Sequence, residues 1–197
     1  MSEDTVFEFT KLVLKWVSPL SILPFILRPR LELTLERSRC REVVSMHLGG
    51  GGVCDALYLR LWVDNFGFYS PAKGCLVFLN RILQNGNLLE GERSPLSWTD
   101  IDTFEAQEIQ RGFKRGRYVD LCSTNQAYPH LCIHSQKGTK GYGLYRTSGT
   151  YTFEISAEAT GLASSGFIQL QVEYNSAQWD ALTVVYAEPN RKWFRCW

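Results

Sequence analysis

From Ala56 the chain alternates apolar and polar positions with a period of two. Leu57, Leu59, Leu61 and Val63 share one parity, the pattern breaks at Asn65-Phe66-Gly67, and an apolar-rich run resumes as Cys75-Leu76-Val77-Phe78-Leu79. Successive strand side chains point to opposite faces, so the four apolar residues line one buried surface. The pattern predicts a strand, a turn and a second strand of an antiparallel sheet. Further strands are predicted over 31–37, 42–47, 117–123, 131–135, 150–159, 167–174 and 180–187, alongside 56–64 and 75–82. The clearest are Tyr151-Thr152-Phe153-Glu154-Ile155-Ser156-Ala157 and Ile168-Gln169-Leu170-Gln171-Val172, each with one wet face. Such strands are antiparallel by preference, and their short Gly-, Asn-, Ser- and Pro-bounded spacing predicts a β-sandwich.

Ahead of this body, Val6, Phe9, Val13, Trp16 and Leu20 recur at helical spacing, while Glu8, Lys11 and Lys15 take another face. An amphipathic helix over about 4–17 follows, and Ser18-Pro19 ends it, because the residue before proline avoids helical geometry. The run 12–27 carries a single charge, Lys15, and resembles a membrane segment. At 16 residues with two prolines it is shorter than the roughly 20 residues of a spanning helix. Docking onto the β body or a partner leads, with an interfacial membrane anchor or a short span as alternatives. The expected organisation is an apolar lead over 1–29, a β-sandwich over 30–188 and an aromatic, basic tail over 189–197. The fold class is mainly β, an immunoglobulin-like sandwich behind an N-terminal amphipathic helix.

Two quoted motifs carry a resemblance. Val63-Asp64-Asn65-Phe66-Gly67-Phe68-Tyr69-Ser70-Pro71-Ala72-Lys73-Gly74-Cys75-Leu76-Val77 resembles the strand–Asn-x-Gly–strand element of prokaryotic immunoglobulin-like sandwiches, including the CARDB type. Gly149-Thr150-Tyr151-Thr152-Phe153-Glu154-Ile155 resembles the Gly-x-Tyr strand start of the same modules. The resemblance spans about 56–174 and implies a non-catalytic binding or scaffolding module, often tied to a membrane or a larger assembly. The apolar lead, the cysteines and a long 84–116 connection depart from that pattern.

The net charge of +1 supplies no global field toward nucleic acid or membrane, so any such binding needs a local patch. Arg111-Gly112-Phe113-Lys114-Arg115-Gly116-Arg117 is that patch. Its cations can release counterions from phosphate, and Phe113 can stack on a base. The competing reading is a solvated turn paired with Glu105, Glu108 or Asp120. The tail residues Trp193, Phe194 and Trp197, with Val6, Phe9, Val13 and Trp16 of the lead, are the candidate partner-binding residues; Trp and Arg favour interfaces.

The six cysteines, at 40, 54, 75, 122, 132 and 196, form no C-x-x-C pair and match no zinc pattern. The acidic Met1-Ser2-Glu3-Asp4 start is no secretory n-region. Reduced, mostly buried thiols and a cytoplasmic location, with membrane association as an alternative, are expected. Cys75 and Cys132 fit inward strand positions. Strand parity with His130 and His134 would instead put Cys132 on the wetter face, where three ligands strung along one strand are too far apart for one ion. The tetraglycine 49–52 lacks the Lys-Ser/Thr of a P-loop. The carboxylates Asp100, Asp102 and Glu105 are close in sequence, yet no nucleophile signature accompanies them. No enzyme, metal or cofactor is expected. The leading function is a non-enzymatic interaction module with a protein partner; nucleic-acid or nucleotide binding and membrane-surface attachment are the alternatives.

Overall fold

The computed structural model describes residues 29–35, 39–47, 51–65, 71–101, 103–110, 115–136, 144–162 and 167–189. Two antiparallel sheets, each of seven strands, pack over one hydrophobic core. In the first, β3 (Val53–Asn65) pairs with β2 (Arg41–His47) and then β1 (Leu31–Thr34), and also with β9 (Arg117–Asn125). Strand β9 in turn pairs with β7 (Ser97–Trp98) and β10 (Leu131–Ile133), and β10 pairs with β11 (Leu144–Tyr145). The second sheet runs β14 (Thr183–Pro189), β13 (Phe167–Tyr174), β12 (Gly149–Glu158), β4 (Ala72–Gln84), β5 (Asn87–Glu90). Strands β6 (Ser94–Pro95) and β8 (Gln107–Ile109) also pair with β4.

The period-two pattern maps directly onto burial. Leu57, Leu59, Leu61 and Val63 face Val77, Leu79, Tyr151, Phe153, Ile155, Leu170 and Val172 in a single cluster. The mainly β, two-sheet class expected from the pattern is what the chain adopts. Among the described residues every regular element is a strand, and no helix is long and apolar enough to cross a membrane. The predicted helix over 4–17, the turn residues 66–70 and the tail from 190 lie outside the described residues.

The stretch 84–116, read from sequence as a long connection, differs from that expectation. It holds four short strands, β5 to β8, opened by Asn85-Gly86 with φ of 49° and 84°. Positive φ at both central residues is the geometry of a tight hairpin turn, which Asn-Gly favours. Trp98 of β7 is fully buried, and its Nε1 donates to the Glu105 carbonyl at 3.1 Å. Ser94, Leu96, Ser97, Trp98 and Ile109 of this stretch are therefore core rather than loop.

Asn65 closes the end of β3. Its Oδ1 accepts from the Arg30 N–H at 3.2 Å, and its Nδ2 donates to the Ile109 carbonyl at 3.3 Å. Because Ile109 pairs with Ala72 in the second sheet, this one buried amide ties the two sheets together. The neighbouring Asp64 is buried as well, accepting from Trp62 Nε1 at 3.3 Å and from the Asn65 N–H at 2.8 Å. Buried amides and carboxylates need such partners.

Candidate functional site

The outward parity of β3 carries Tyr58, Arg60 and Trp62 between the core leucines. Opposite them, β9 has a bulge. Leu59 pairs with Cys122 but Arg60 with Asp120, so Leu121 is the extra residue. Leu121 and Cys122 both enter the core, while Asp120 is brought level with Arg60 on the outer face.

Arg60 is the centre of what results. Its side chain is only 6% exposed, and its Nε donates to Asp120 Oδ1 at 2.8 Å. Its Nη1 reaches the Glu42 carboxylate, and the guanidinium lies 4.9 Å from the Tyr58 ring centre. Thr99 Oγ1 donates to the same Asp120 oxygen at 2.8 Å. A charge this buried persists only when paired and hydrogen-bonded. Tyr58 in turn stacks on His134, ring centres 5.2 Å apart and 24° from parallel. His134 Nε2 shares a 2.8 Å hydrogen bond with Ser123 Oγ.

A serine within reach of an imidazole is the first half of a nucleophilic pair. Here Ser123 is buried in the middle of β9, and the carboxylates Glu42 and Asp120 are bonded to Arg60. The arrangement ties β2, β3 and β9 to Thr99 and His134, which directly follow β7 and β10.

Sequence reasoning missed this group: Asp120, offered there as a partner of the 111–117 run, pairs with Arg60. The available signal is an Arg and an Asp mid-strand in otherwise apolar stretches, Leu59-Arg60-Leu61 and Val119-Asp120-Leu121. Glu108 accepts from Gln110 Nε2, while Asp100 and Glu105 are exposed and Asp102 lies outside the described residues.

Of the basic run, Arg111, Phe113 and Lys114 lie outside the described residues; Arg115 is exposed and Arg117 half-buried. Gly116 between them is pressed flat on β3. A Cβ there would fall 2.6 Å from the Trp62 indole and against the Val63 carbonyl. Gly116→Ala is therefore expected to cost about 2 kcal/mol by overpacking against backbone that cannot give way. Urea unfolding checks this, and an unchanged midpoint would contradict the close approach. The partner-binding candidates Val6, Phe9, Val13, Trp16, Trp193, Phe194 and Trp197 lie outside the described residues.

The five described cysteines are all free thiols, four of them buried. Cys75 is inward, as expected. Cys132 is half-buried and shares the outer face with His134, while Leu131 and Ile133 are buried, so strand parity decides its position. No group of three metal-ligating residues occurs among the described residues. Burial pushes the Cys75 thiol up to about 12, and burial, then Cys132 and Asp120, push Cys122 up further. Burial, then the neighbouring Tyr174, raises the Tyr151 phenol to about 12.

Two expectations follow. Cys75 and Cys122 react with a disulfide reagent at neutral pH only as fast as the chain unfolds, and rapid labelling of the native protein would contradict their burial. The second concerns alkali. The folded chain holds the Cys75 proton that an unfolded chain releases near 9.0. Its stabilising effect is complete below that pH and falls as pH rises toward about 12. Unfolding midpoints measured across this window should decline; a flat profile would contradict it.

Comparison of the chain with protein families, with curated proteins and with solved structures finds no match.

Proposed function

We propose that this chain is a non-enzymatic interaction or scaffolding module whose partner is another protein. The observation that supports this reading best is the state of its chemistry-bearing side chains. Arg60, Asp120, Glu42 and Thr99 are bonded to one another, Asp64 and Asn65 are bound into the end of β3, and the thiols are raised by burial. Groups held this way build a rigid scaffold rather than a reacting centre. The immunoglobulin-like, CARDB-type description, the N-terminal amphipathic helix and a cytoplasmic location belong to this same reading. The first two are supported by the two sandwich motifs and the helical spacing of the lead.

Docking is assigned to Val6, Phe9, Val13 and Trp16 of the lead and Trp193, Phe194 and Trp197 of the tail. Contiguous apolar and aromatic side chains are the usual energetic centre of an interface. The test uses full-length Phe9→Glu, Trp16→Glu and Trp193→Glu proteins. Loss of a stoichiometric partner with the melting temperature unchanged supports docking. A large fall in melting temperature would show that these residues are part of the chain's own core.

A second reading, phosphate-polyanion binding by residues 111–117, is favoured by one observation. Gly116 packs flat on Trp62 and so fixes the backbone carrying Arg115 and Arg117 at the surface. Membrane-surface attachment through 12–27 is the third reading; a chain that stays unbound in anionic-vesicle flotation would dispose of it.

A further inference from the structure

We infer that the free edge of β2 is a strand-addition site, which takes up an extended segment of a protein partner as an antiparallel neighbour with a carboxylate opposite Arg41. This rests on the protein-partner reading above, and it adds to that reading a docking surface within the β body.

The direction of the backbone groups follows from register. Cys40 and Arg60 continue the rungs of β2 and β3, and the Cys40 carbonyl accepts from the Arg60 N–H at 2.7 Å. On the other side of β3 the Asp55 carbonyl accepts from the Gln126 N–H at 2.9 Å. Antiparallel bonding alternates residue by residue. Glu42, Val44 and Met46 therefore turn their backbone groups to β3, while Arg41, Val43, Ser45 and His47 turn theirs away. Those last are also the exposed residues of the strand. Among the described residues no strand pairs with β2 on that side. Such a row of open N–H and C=O groups is a template for another strand.

The other outer strands among the described residues are shielded. Strand β14 has a bulge at Val185 and ends in Pro189. Strands β1 and β5 have four residues each, β8 three and β11 two. Bulges, prolines and shortness are the means by which sheets close their edges. Strand β2 runs for seven residues in unbroken register without a proline.

The side chains define the occupant, because an added strand shares its faces with β2 rung by rung. Val43 and Val53 lie on one face by register and are 54% and 60% exposed. A β-branched residue opposite Val43 covers that surface. Arg41 lies on the same face. Its Nη2 donates to the Asp180 carbonyl at 3.1 Å and its Nε to the Leu182 carbonyl at 3.4 Å. Both acceptors are uncharged, and no carboxylate among the described residues pairs with it. Glu42 is on the opposite face, bonded to Arg39 and Arg60. Asp55 lies toward the His47 end, accepting from Ser45 Oγ at 3.0 Å. A carboxylate opposite Arg41 thus meets a guanidinium whose position is already set, which lowers the ordering cost of the pair.

The probe is a fluorescein-labelled, end-capped peptide, Thr-Val-Thr-Val-Val-Thr-Glu, whose glutamate meets Arg41 when it lies antiparallel to β2. Fluorescence anisotropy with the full-length chain should show binding that Val43→Pro weakens about tenfold, by removing one outward N–H while leaving the bonds to β3 intact. Val43→Thr keeps that N–H and should bind as the wild type does. Lysine in place of the peptide's glutamate should weaken wild-type binding about threefold, the scale of one cross-strand charge pair, and leave Arg41→Gln unaffected. Melting temperatures confirm that each variant folds. Amide exchange reads the same edge without a substitution: the Val43 and Ser45 N–H groups exchange fast in the free chain and slowly with peptide bound, while Val44 is protected in both.

No binding of either peptide by the wild type, full binding by Val43→Pro, or unchanged exchange at Val43 and Ser45 would overturn the inference. A natural complex that Phe9→Glu releases and Val43→Pro retains would also overturn it, while leaving the interaction-module reading intact. A complex of two copies of this chain that Val43→Pro dissociates would overturn the assignment of the edge to a different protein.

Discussion

Trp98→Ala is expected to lower the unfolding free energy by about 3–5 kcal/mol, the range for truncating a fully buried large aromatic side chain. Trp98 has no exposed surface and lies in the same core cluster as Leu121, Ile133 and Tyr151. It is held at three points. Its N–H donates to the Thr103 carbonyl at 2.9 Å, its Nε1 donates to the Glu105 carbonyl, and its backbone pairs with Val119 of β9. Truncation leaves a cavity and a carbonyl without its donor. For a chain of this size the melting temperature should fall by roughly 2–4 °C per kcal/mol. Chemical denaturation of the two proteins under identical conditions measures the change. A loss below about 1 kcal/mol, the scale of a surface substitution, would mean that 97–105 is a dispensable loop after all.

Arg60→Ala carries the second large effect, about 3–5 kcal/mol. Removing one partner of a buried ion pair leaves the other charge desolvated and unmatched. Here Asp120 would retain only the Thr99 hydroxyl as a named donor, and the Tyr58 ring would lose the cation lying over it. Arg60→Met separates the causes, because it keeps most of the aliphatic packing and removes the charge alone. Asp120→Asn in the Arg60→Met background should recover part of the loss, since no uncompensated carboxylate remains. Denaturant midpoints of the single and double variants give the coupling directly. Additive losses would show that the two residues do not share an interaction.

These two residues also mark how far the sequence can be read. The alternation from Ala56 to Val63 and in Tyr151–Ala157 is a property of neighbouring residues, so it survives without knowledge of the fold. It predicts strands that the structure contains as β3 and β12, with the inward leucines where the parity puts them. Strands β5 to β8 are two to four residues long, below the length at which periodicity is readable. They exist because β4 and β9 offer them partners, which is a tertiary fact. Asn85-Gly86 was the one local sign of the hairpin that starts them.

The Arg60 group was illegible for a related reason. Arg60 and Asp120 are 60 residues apart, and a one-residue bulge at Leu121 decides that they meet. No periodicity encodes that register shift. The thiol face, in contrast, follows from parity. Leu131 and Ile133 are inward on β10, which leaves Cys132 and His134 on the outer face.

The most direct test of the interaction-module account is the mass of the full-length chain isolated under mild, detergent-free conditions, read by light scattering beside its Phe9→Glu and Trp193→Glu variants. The account predicts a stoichiometric complex heavier than the 22.5 kDa chain, released to that mass by either substitution with the melting temperature unchanged. A wild-type protein already at 22.5 kDa, with both variants melting well below it, would contradict the account and assign the two terminal segments to the chain's own core.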